Sequence, residues 1–172
     1  MVIVTLRDLL ISSEAIRFGD FTLASGKKSR IYVDIKTAIT NPHILREIAK
    51  EILLKKIFFD AVAGVAVGGI PLAVAVSLAC DKPYIIIRKE TKGHGISGLA
   101  IGEIAGKRVL LVEDVTTSGG SALFGIENIR DAGGFLEHVV TVVDRNEGAE
   151  VVLKEKGVSL HPLIRMEDLL DE

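Results

Sequence analysis

The chain alternates between short apolar runs and longer amphipathic segments, so that strands and helices are predicted in turn. Apolar residues at helical spacing predict helices over 5–17, 70–79, 122–131 and 148–156, and a helix that begins at Asn41-Pro42 and extends to about residue 58. Short runs rich in β-branched residues predict strands over 21–23, 30–34, 61–65, 84–88, 108–112, 136–143 and 159–163, followed by a short tail helix.

Strands that alternate with helices imply crossover connections. The predicted fold class is therefore α/β, with a mostly parallel central sheet flanked by helices on both faces. We find no repeat, low-complexity tract or linker, so we predict one domain over residues 1–172. One long interruption, 89–107, lacks clear periodicity, and connections of this length are typical of functional lids.

Composition limits the classes of function. Hydrophobic residues make up 48% of the chain and aromatic residues 5%, which predicts an aliphatic core. The formal net charge of −2 creates no general field for nucleic acid or an anionic membrane, so we expect neither as a partner. The single cysteine, Cys80, excludes an internal disulfide. Residues 1–6 do not resemble a secretory leader, and Asp60, Pro71 and Asp81 interrupt the longest apolar segments, so a cytoplasmic location is expected.

The segment 109–121 carries the most chemical information. A buried-strand pattern over 109–112 is followed by Glu113 and Asp114, which we place at the end of the strand, and then by six consecutive hydroxyl or glycine residues, 116–121. These residues precede a predicted helix, whose N-terminus favours an anion. Helix caps and turns also use Ser, Thr and Gly, but they need one or two such residues rather than six. We interpret the segment as a site for ribose 5-phosphate, with two carboxylates for a cis-diol.

Three other segments have two interpretations each. Residues 88–95 hold three cations and a histidine between glycines, which suits either an arm over a polyanion or a solvated charged loop. Residues 67–71 form a tight Gly-Gly-Ile-Pro turn that either presents N–H groups to a ligand or is an ordinary turn. Arg145 follows a strand and either binds a planar carboxylate or pairs with Asp144 or Glu147.

Two other kinds of site are excluded. The sequence of residues 93–98 matches the Gly-x-Gly-x-x-Gly fingerprint of dinucleotide-binding loops. However, no predicted strand leads directly into these residues, and no helical pattern follows them. His43, His138 and His161 are isolated, so we expect no dedicated metal site.

The string from Glu113 to Ser121 resembles the phosphoribosyl pyrophosphate (PRPP) motif of the type I phosphoribosyltransferases. The resemblance implies that Glu113 and Asp114 hold the ribose hydroxyls and that 116–121 wrap the 5-phosphate. Residues 88–95 resemble the catalytic loop of the orotate branch of that family. That loop crosses a dimer interface, so Arg88, Lys89, Lys92 and His94 are expected to contact the pyrophosphate of the donor bound in the partner chain.

The resemblance covers most of the chain in motif order. Residues 18–34 resemble a base-binding hood, in which Ala24 occupies the position where several members place a lysine. Gly68 stands where some members carry a lysine, in a turn that binds pyrophosphate. Arg145 matches an arginine that binds the orotate carboxylate, with Thr117 beside the pyrimidine ring. The resemblance implies a hood over 1–40 with part of the C-terminal tail, and a core over 41–160.

The implied activity is transfer of 5-phosphoribosyl from PRPP to N1 of orotate, which gives orotidine 5-phosphate and pyrophosphate in pyrimidine biosynthesis. The expected cofactor is Mg²⁺ bound with the pyrophosphate, and the expected assembly is a homodimer with shared sites. The catalytic candidates are Lys92, His94 and Asp114. The substrate-binding candidates are Arg88, Lys89, Lys92, His94, Glu113, Asp114, Val115, Thr116, Thr117, Ser118, Gly119, Gly120, Ser121 and Arg145. Two other interpretations remain: a phosphoribosyltransferase for another nucleobase, and a non-catalytic regulator that senses PRPP.

Overall fold

A computed structural model describes residues 4–89 and 99–170. The helices are α1 (Leu6–Ser12), α2 (Ile35–Ala38), α3 (Pro42–Leu54), α4 (Gly69–Cys80), α5 (Gly120–Asp131) and α6 (Ala149–Glu155), with a 3-10 helix at Glu167–Leu169. The strands are β1 (Ile16–Thr22), β2 (Lys28–Val33), β3 (Ala61–Val65), β4 (Tyr84–Ile87), β5 (Ala100–Ile101), β6 (Arg108–Thr116), β7 (Phe135–Asp144) and β8 (Ser159–Arg165).

The central sheet has six strands in the order β5-β4-β3-β6-β7-β8. All neighbouring strands are parallel except β5, which is antiparallel to β4. The first strand of the parallel set, β3, lies between the second and third, β4 and β6. Connections from β3 and β6 therefore diverge, and in open α/β sheets ligands bind outside the carboxyl ends of strands at such a switch point. The predicted fold class is confirmed.

The alternation of side chains along each strand gives the sheet two apolar faces. All five residues of β3 are buried. One face packs against α3 and α4 in a cluster that includes Val62, Leu110, Ile48 and Leu72. The other face packs against α5 and α6 in a cluster that includes Ala63, Leu111, Ile126 and Leu153. Because helices cover both faces of the sheet, a ligand can reach the sheet at the ends of its strands.

A small antiparallel sheet of β1 and β2 precedes the central sheet. Its buried residues Ile16 and Ile31 join the cluster that contains α3 and α4, as does Leu169 near the C-terminus. Cys80, the free cysteine at the end of α4, packs against the same cluster and is half-buried. In the ranges 4–89 and 99–170, no helix has both the length and the apolar character needed to cross a membrane.

Several predicted element ends are wrong. The first helix ends at Ser12 because Glu14 has left-handed backbone (φ 61°), and residues 16–22 form a strand instead. The third helix ends at Leu54, shortly before Lys56, which is also left-handed (φ 55°). The prediction of no periodic structure over 89–107 missed the two-residue strand β5, which pairs with β4.

The most consequential difference concerns β6, which extends to Thr116 rather than ending at residue 112. Its pairing with β7 continues to the pair Thr116 and Asp144, so the backbone ladder continues after the apolar side chains stop. Glu113 and Asp114 therefore lie inside the strand, near its carboxyl end, and not after it.

Candidate active site

The two adjacent acids of β6 lie at the carboxyl edge of the sheet, next to β3. Successive side chains of a strand point to opposite faces, so Glu113 and Asp114 leave β6 in different directions, yet both interact with the Lys36 ammonium. Both are buried, with 3% and 6% of their surface exposed. Buried carboxylates are costly unless a partner satisfies them, which makes their surroundings informative.

The surroundings of Glu113 keep one acceptor unsatisfied. Burial, with a smaller contribution from the charge of Asp114, raises the pKa of Glu113 to about 7, whereas Ser121, Lys89 and Lys36 act in the opposite direction. Its Oε1 atom is buried and has no hydrogen-bond partner among the described residues. A buried acceptor of this kind suggests a ligand hydroxyl as the missing donor.

Asp114 is held from two sides. The ammonium of Lys36 donates a hydrogen bond to Oδ2 at 2.8 Å. On another side lies Gly68, where a Cβ atom would be only 2.2 Å from the same oxygen. The turn that contains Gly68 therefore approaches the carboxylate with its backbone, which only glycine allows at this distance.

The segment after β6 offers backbone N–H groups to an anion. Gly119 precedes α5 in a left-handed conformation (φ 88°), and no side chain caps this helix end. A Cβ at Gly120 would meet nothing within 4 Å, so the space beside the first turn is open. Thr117 and Ser118 are exposed beside it. Unsatisfied N–H groups at a helix N-terminus suit a phosphate.

One predicted phosphate-binding residue, Thr116, makes a hydrogen bond to another strand of the sheet. Thr116 is the last residue of β6, and its hydroxyl donates to the buried carboxylate of Asp144 at 3.0 Å. The hydroxyl of Thr116 therefore contributes to the β6–β7 packing, and its role in phosphate binding stays a prediction. Val115, also a predicted binding residue, is half-buried in β6 and packs against the α3–α4 cluster.

Two further strand ends contribute cations or backbone to this edge. Arg88 and Lys89 follow β4, and Lys89 is close enough to Glu113 to lower the pKa of that carboxyl. The turn after β3 is pressed onto the sheet, since a Cβ at Gly64 would be 2.1 Å from the carbonyl oxygen of Gly69. Lys92 and His94 lie outside the described residues.

Arg145 follows β7 at the same edge. Its backbone N–H donates to the carbonyl of Thr116 at 2.9 Å, and its side chain is 13% exposed. Its Nε lies 3.3 Å from a Glu147 oxygen but without hydrogen-bond geometry. The ion pair of the second interpretation is therefore present, and the Arg145 side chain keeps 13% of its surface exposed.

Two features of the site were missed by the sequence predictions. Lys36 is one; its only sequence signal is Asp34, an acid that caps α2 by accepting from the backbone N–H of Thr37 at 3.0 Å. The other is the set of contacts on the buried Asp144, the residue before Arg145. Arg165 lies 3.7 Å from Asp144, which also accepts from the backbone N–H of Asn146 at 3.3 Å.

No group of three or more His, Cys, Asp or Glu side chains within residues 4–89 and 99–170 is arranged to hold a metal ion. The oxygen atoms at this edge, carboxylates and hydroxyls, are nevertheless of the type that Mg²⁺ prefers.

Comparison with known proteins agrees with this geometry. Residues 37–162 match the family model described as "Phosphoribosyl transferase domain". An orotate phosphoribosyltransferase of Methanospirillum hungatei is 67% identical over 171 residues, covering 99% of each chain. The structure of orotate phosphoribosyltransferase from Aeropyrum pernix has a TM-score of 0.81 and 30% identity, covering 97% of each chain. The Mycobacterium tuberculosis enzyme in complex with PRPP has a TM-score of 0.73 and 32% identity, covering 87% of this chain and 88% of that one.

A parallel sheet with an uncapped helix end and two acids at its switch point, together with the family match, places the chain among the phosphoribosyltransferases, and it belongs to that family. Within the family, the chain groups with the orotate phosphoribosyltransferases, to which the curated relative above belongs.

Proposed function

We propose that this protein is an orotate phosphoribosyltransferase, which transfers the 5-phosphoribosyl group from PRPP to N1 of orotate and releases pyrophosphate. One observation carries the proposal: Glu113, Asp114 and the uncapped N-terminus of α5 lie at one edge of the sheet. This combination suits a sugar that bears both a diol and a phosphate.

The donor fits this edge in one orientation. The 5-phosphate takes the N–H groups of residues 117–121, where the helix dipole favours negative charge. The ribose hydroxyls face Glu113 and Asp114, and the unpartnered Oε1 of Glu113 accepts one of them. The pyrophosphate then extends toward the turn at Gly68, where Arg88 and Lys89 of the partner chain contact it, as the resemblance implies. The relative from Mycobacterium tuberculosis, whose structure contains PRPP, supports the choice of donor.

The acceptor fits beside the donor. Arg145 presents a guanidinium for the orotate carboxylate, and its planar fork matches two carboxylate oxygens. Thr117 is exposed, and the carbonyl of the residue before it accepts from the backbone N–H of Arg145. We assign Thr117 to the side of the pyrimidine ring. The names of the relatives support orotate as the acceptor.

The reaction requires positioning and charge rather than a covalent nucleophile. Loss of pyrophosphate leaves an oxocarbenium-like centre, which adjacent carboxylate charge stabilises, and we assign this role to Asp114. Lys92 and His94 are assigned to the departing pyrophosphate from the sequence resemblance. Mg²⁺ bound by the pyrophosphate would neutralise part of the charge of the donor.

We further propose a homodimer in which the loop containing Lys92 and His94 serves the site of the partner chain. This arrangement follows from the resemblance of residues 88–95 to the orotate-branch loop.

The test is a turnover assay with purified protein, PRPP and Mg²⁺ against orotate, uracil, adenine, hypoxanthine and guanine. We expect PRPP-dependent consumption of orotate, which stops when the metal is chelated and resumes with added Mg²⁺. Preference for another base would make the protein a sister transferase. PRPP binding without turnover of any base would indicate a sensor, and either result would overturn the proposal.

A further inference from the structure

The side chain that the sequence motifs leave unexplained at this site is Lys36. Its ammonium lies 2.8 Å from Oδ2 of Asp114, and that side chain is only 8% exposed, whereas Lys36 itself is 64% exposed. The contact links residues that are 78 positions apart in the chain. A long-range ion pair on a predicted catalytic carboxylate deserves a functional explanation, since exposed ion pairs contribute little to stability.

The position of Lys36 is fixed by the short helix α2 on which it lies. Ile35 and Ala38, on either side of it, are buried in the α3–α4 cluster. Asp34 caps the short helix by accepting from the N–H and the hydroxyl of Thr37 at 3.0 and 2.8 Å. Two buried anchors and a satisfied cap hold α2 against the sheet, so the ammonium is directed to Asp114 by the fold.

Lys36 and Gly68 together confine the Asp114 carboxylate. A Cβ at position 68 would lie 2.2 Å from Oδ2 and 2.8 Å from Oδ1, so no side chain fits there without moving Asp114. The cation on this carboxylate therefore comes from α2 and not from the turn that contains Gly68.

The charges around Lys36 also favour its contact with Asp114. The ammonium of Lys36 interacts with Asp114, Glu113 and Asp34, and these contacts raise its pKa, so it stays protonated. Two adjacent buried acids at a site for a polyanion repel each other and the ligand, and Lys36 offsets that repulsion.

We propose that Lys36 is a positioning residue for the phosphoribosyl donor: it holds one oxygen of Asp114 and leaves the other free to accept from the ribose. The inference rests on the proposed function and names a residue that sequence motifs do not assign. It predicts that Lys36 acts on the ribose end of the donor, through Asp114, and not on the pyrophosphate or on orotate.

The experiment compares Lys36→Ala, Lys36→Arg and the control Lys50→Ala. Lys50 has the same 64% exposure and an ion pair with Glu47 on α3. Calorimetry gives the Kd of PRPP and of ribose 5-phosphate, which lacks the pyrophosphate, and kinetics give KM for each substrate. We expect Lys36→Ala to weaken both ligands by about tenfold, the loss of one charged hydrogen bond. The KM for orotate should change less than twofold, and Lys36→Arg should restore most of the affinity.

The variant Asp114→Asn tests whether Lys36 acts through Asp114. In Asp114→Asn, adding Lys36→Ala should cost less than about twofold, because the group through which Lys36 acts is already altered. Unchanged affinity in Lys36→Ala, or an equal loss in both backgrounds, would overturn the inference, as would a loss confined to PRPP, which would indicate a direct pyrophosphate contact. A wild-type protein without orotate turnover would instead refute the proposed function, so the two failures are distinguishable.

Discussion

Replacing Glu113 with glutamine should stabilise the free protein at high pH while it weakens the site. Glu113 is buried, and its pKa is raised from 4.5 to about 7, mainly by desolvation. At about 1.4 kcal/mol per pKa unit, the ionised carboxylate costs the folded state about 3 kcal/mol. Glutamine has nearly the same shape and no charge, so Glu113→Gln avoids that cost.

The effect depends on pH in a defined direction. Between pH 4.5 and 7 the folded protein retains a proton that the unfolded chain has lost, so the wild-type free energy of unfolding decreases as pH rises through this window. The advantage of Glu113→Gln should therefore be below about 1 kcal/mol at pH 5 and about 3 kcal/mol at pH 8. For a chain of this size that corresponds to a Tm increase of roughly 6–12 °C at pH 8.

The assay is thermal unfolding without ligand at pH 5 and pH 8, followed by circular dichroism. Glu137→Gln is the matched control, because Glu137 is an exposed glutamate of β7 and its substitution removes the same charge from a site that is not buried. The same Glu113→Gln protein should bind PRPP more weakly. If the Tm difference between Glu113→Gln and wild type is equal at both pH values, or if the variant is less stable at pH 8, the account of Glu113 is wrong.

Three other experiments test separate parts of the site. Arg145→Ala should raise KM for orotate by roughly tenfold to a hundredfold, the value of a charge-assisted contact, with a much smaller change for PRPP; equal effects on both substrates would count against the assignment. Gly68→Ala places a Cβ 2.2 Å from Asp114 and should raise KM for PRPP by about tenfold or more, so an unaltered KM in steady-state kinetics would contradict the close approach. Mixed Lys92→Ala and Asp114→Asn chains should regain part of the activity that each variant lacks, because a hybrid dimer rebuilds one intact site; no recovery would indicate sites complete within one chain.

The sequence predicts the core of this fold well because local pattern and burial agree there. The strand at Ala61–Val65 occurs at its predicted residues, and α5 begins two residues before its predicted start. Element ends were harder to predict. They depend on single left-handed residues such as Glu14 and Lys56, and on strand pairing that continues past the apolar run, as in β6.

The site shows the same division between local and long-range information. Glu113, Asp114 and the loop after them are contiguous, so their chemistry is visible in one motif. Lys36 reaches Asp114 from 78 positions away, and the Thr116 hydroxyl donates to Asp144 on the neighbouring strand β7. These contacts depend on the packing of α2 on β6 and on the pairing of β6 with β7, which no local sequence pattern shows.

In our interpretation the donor lies between the two acids of β6 and the N-terminus of α5. A crystal structure of the protein with PRPP and Mg²⁺ would show where the donor binds. We expect the 5-phosphate on the N–H groups of residues 117–121 and the ribose hydroxyls within hydrogen-bond distance of Glu113 and Asp114. PRPP bound at another edge of the sheet, with this helix end and these carboxylates untouched, would contradict it.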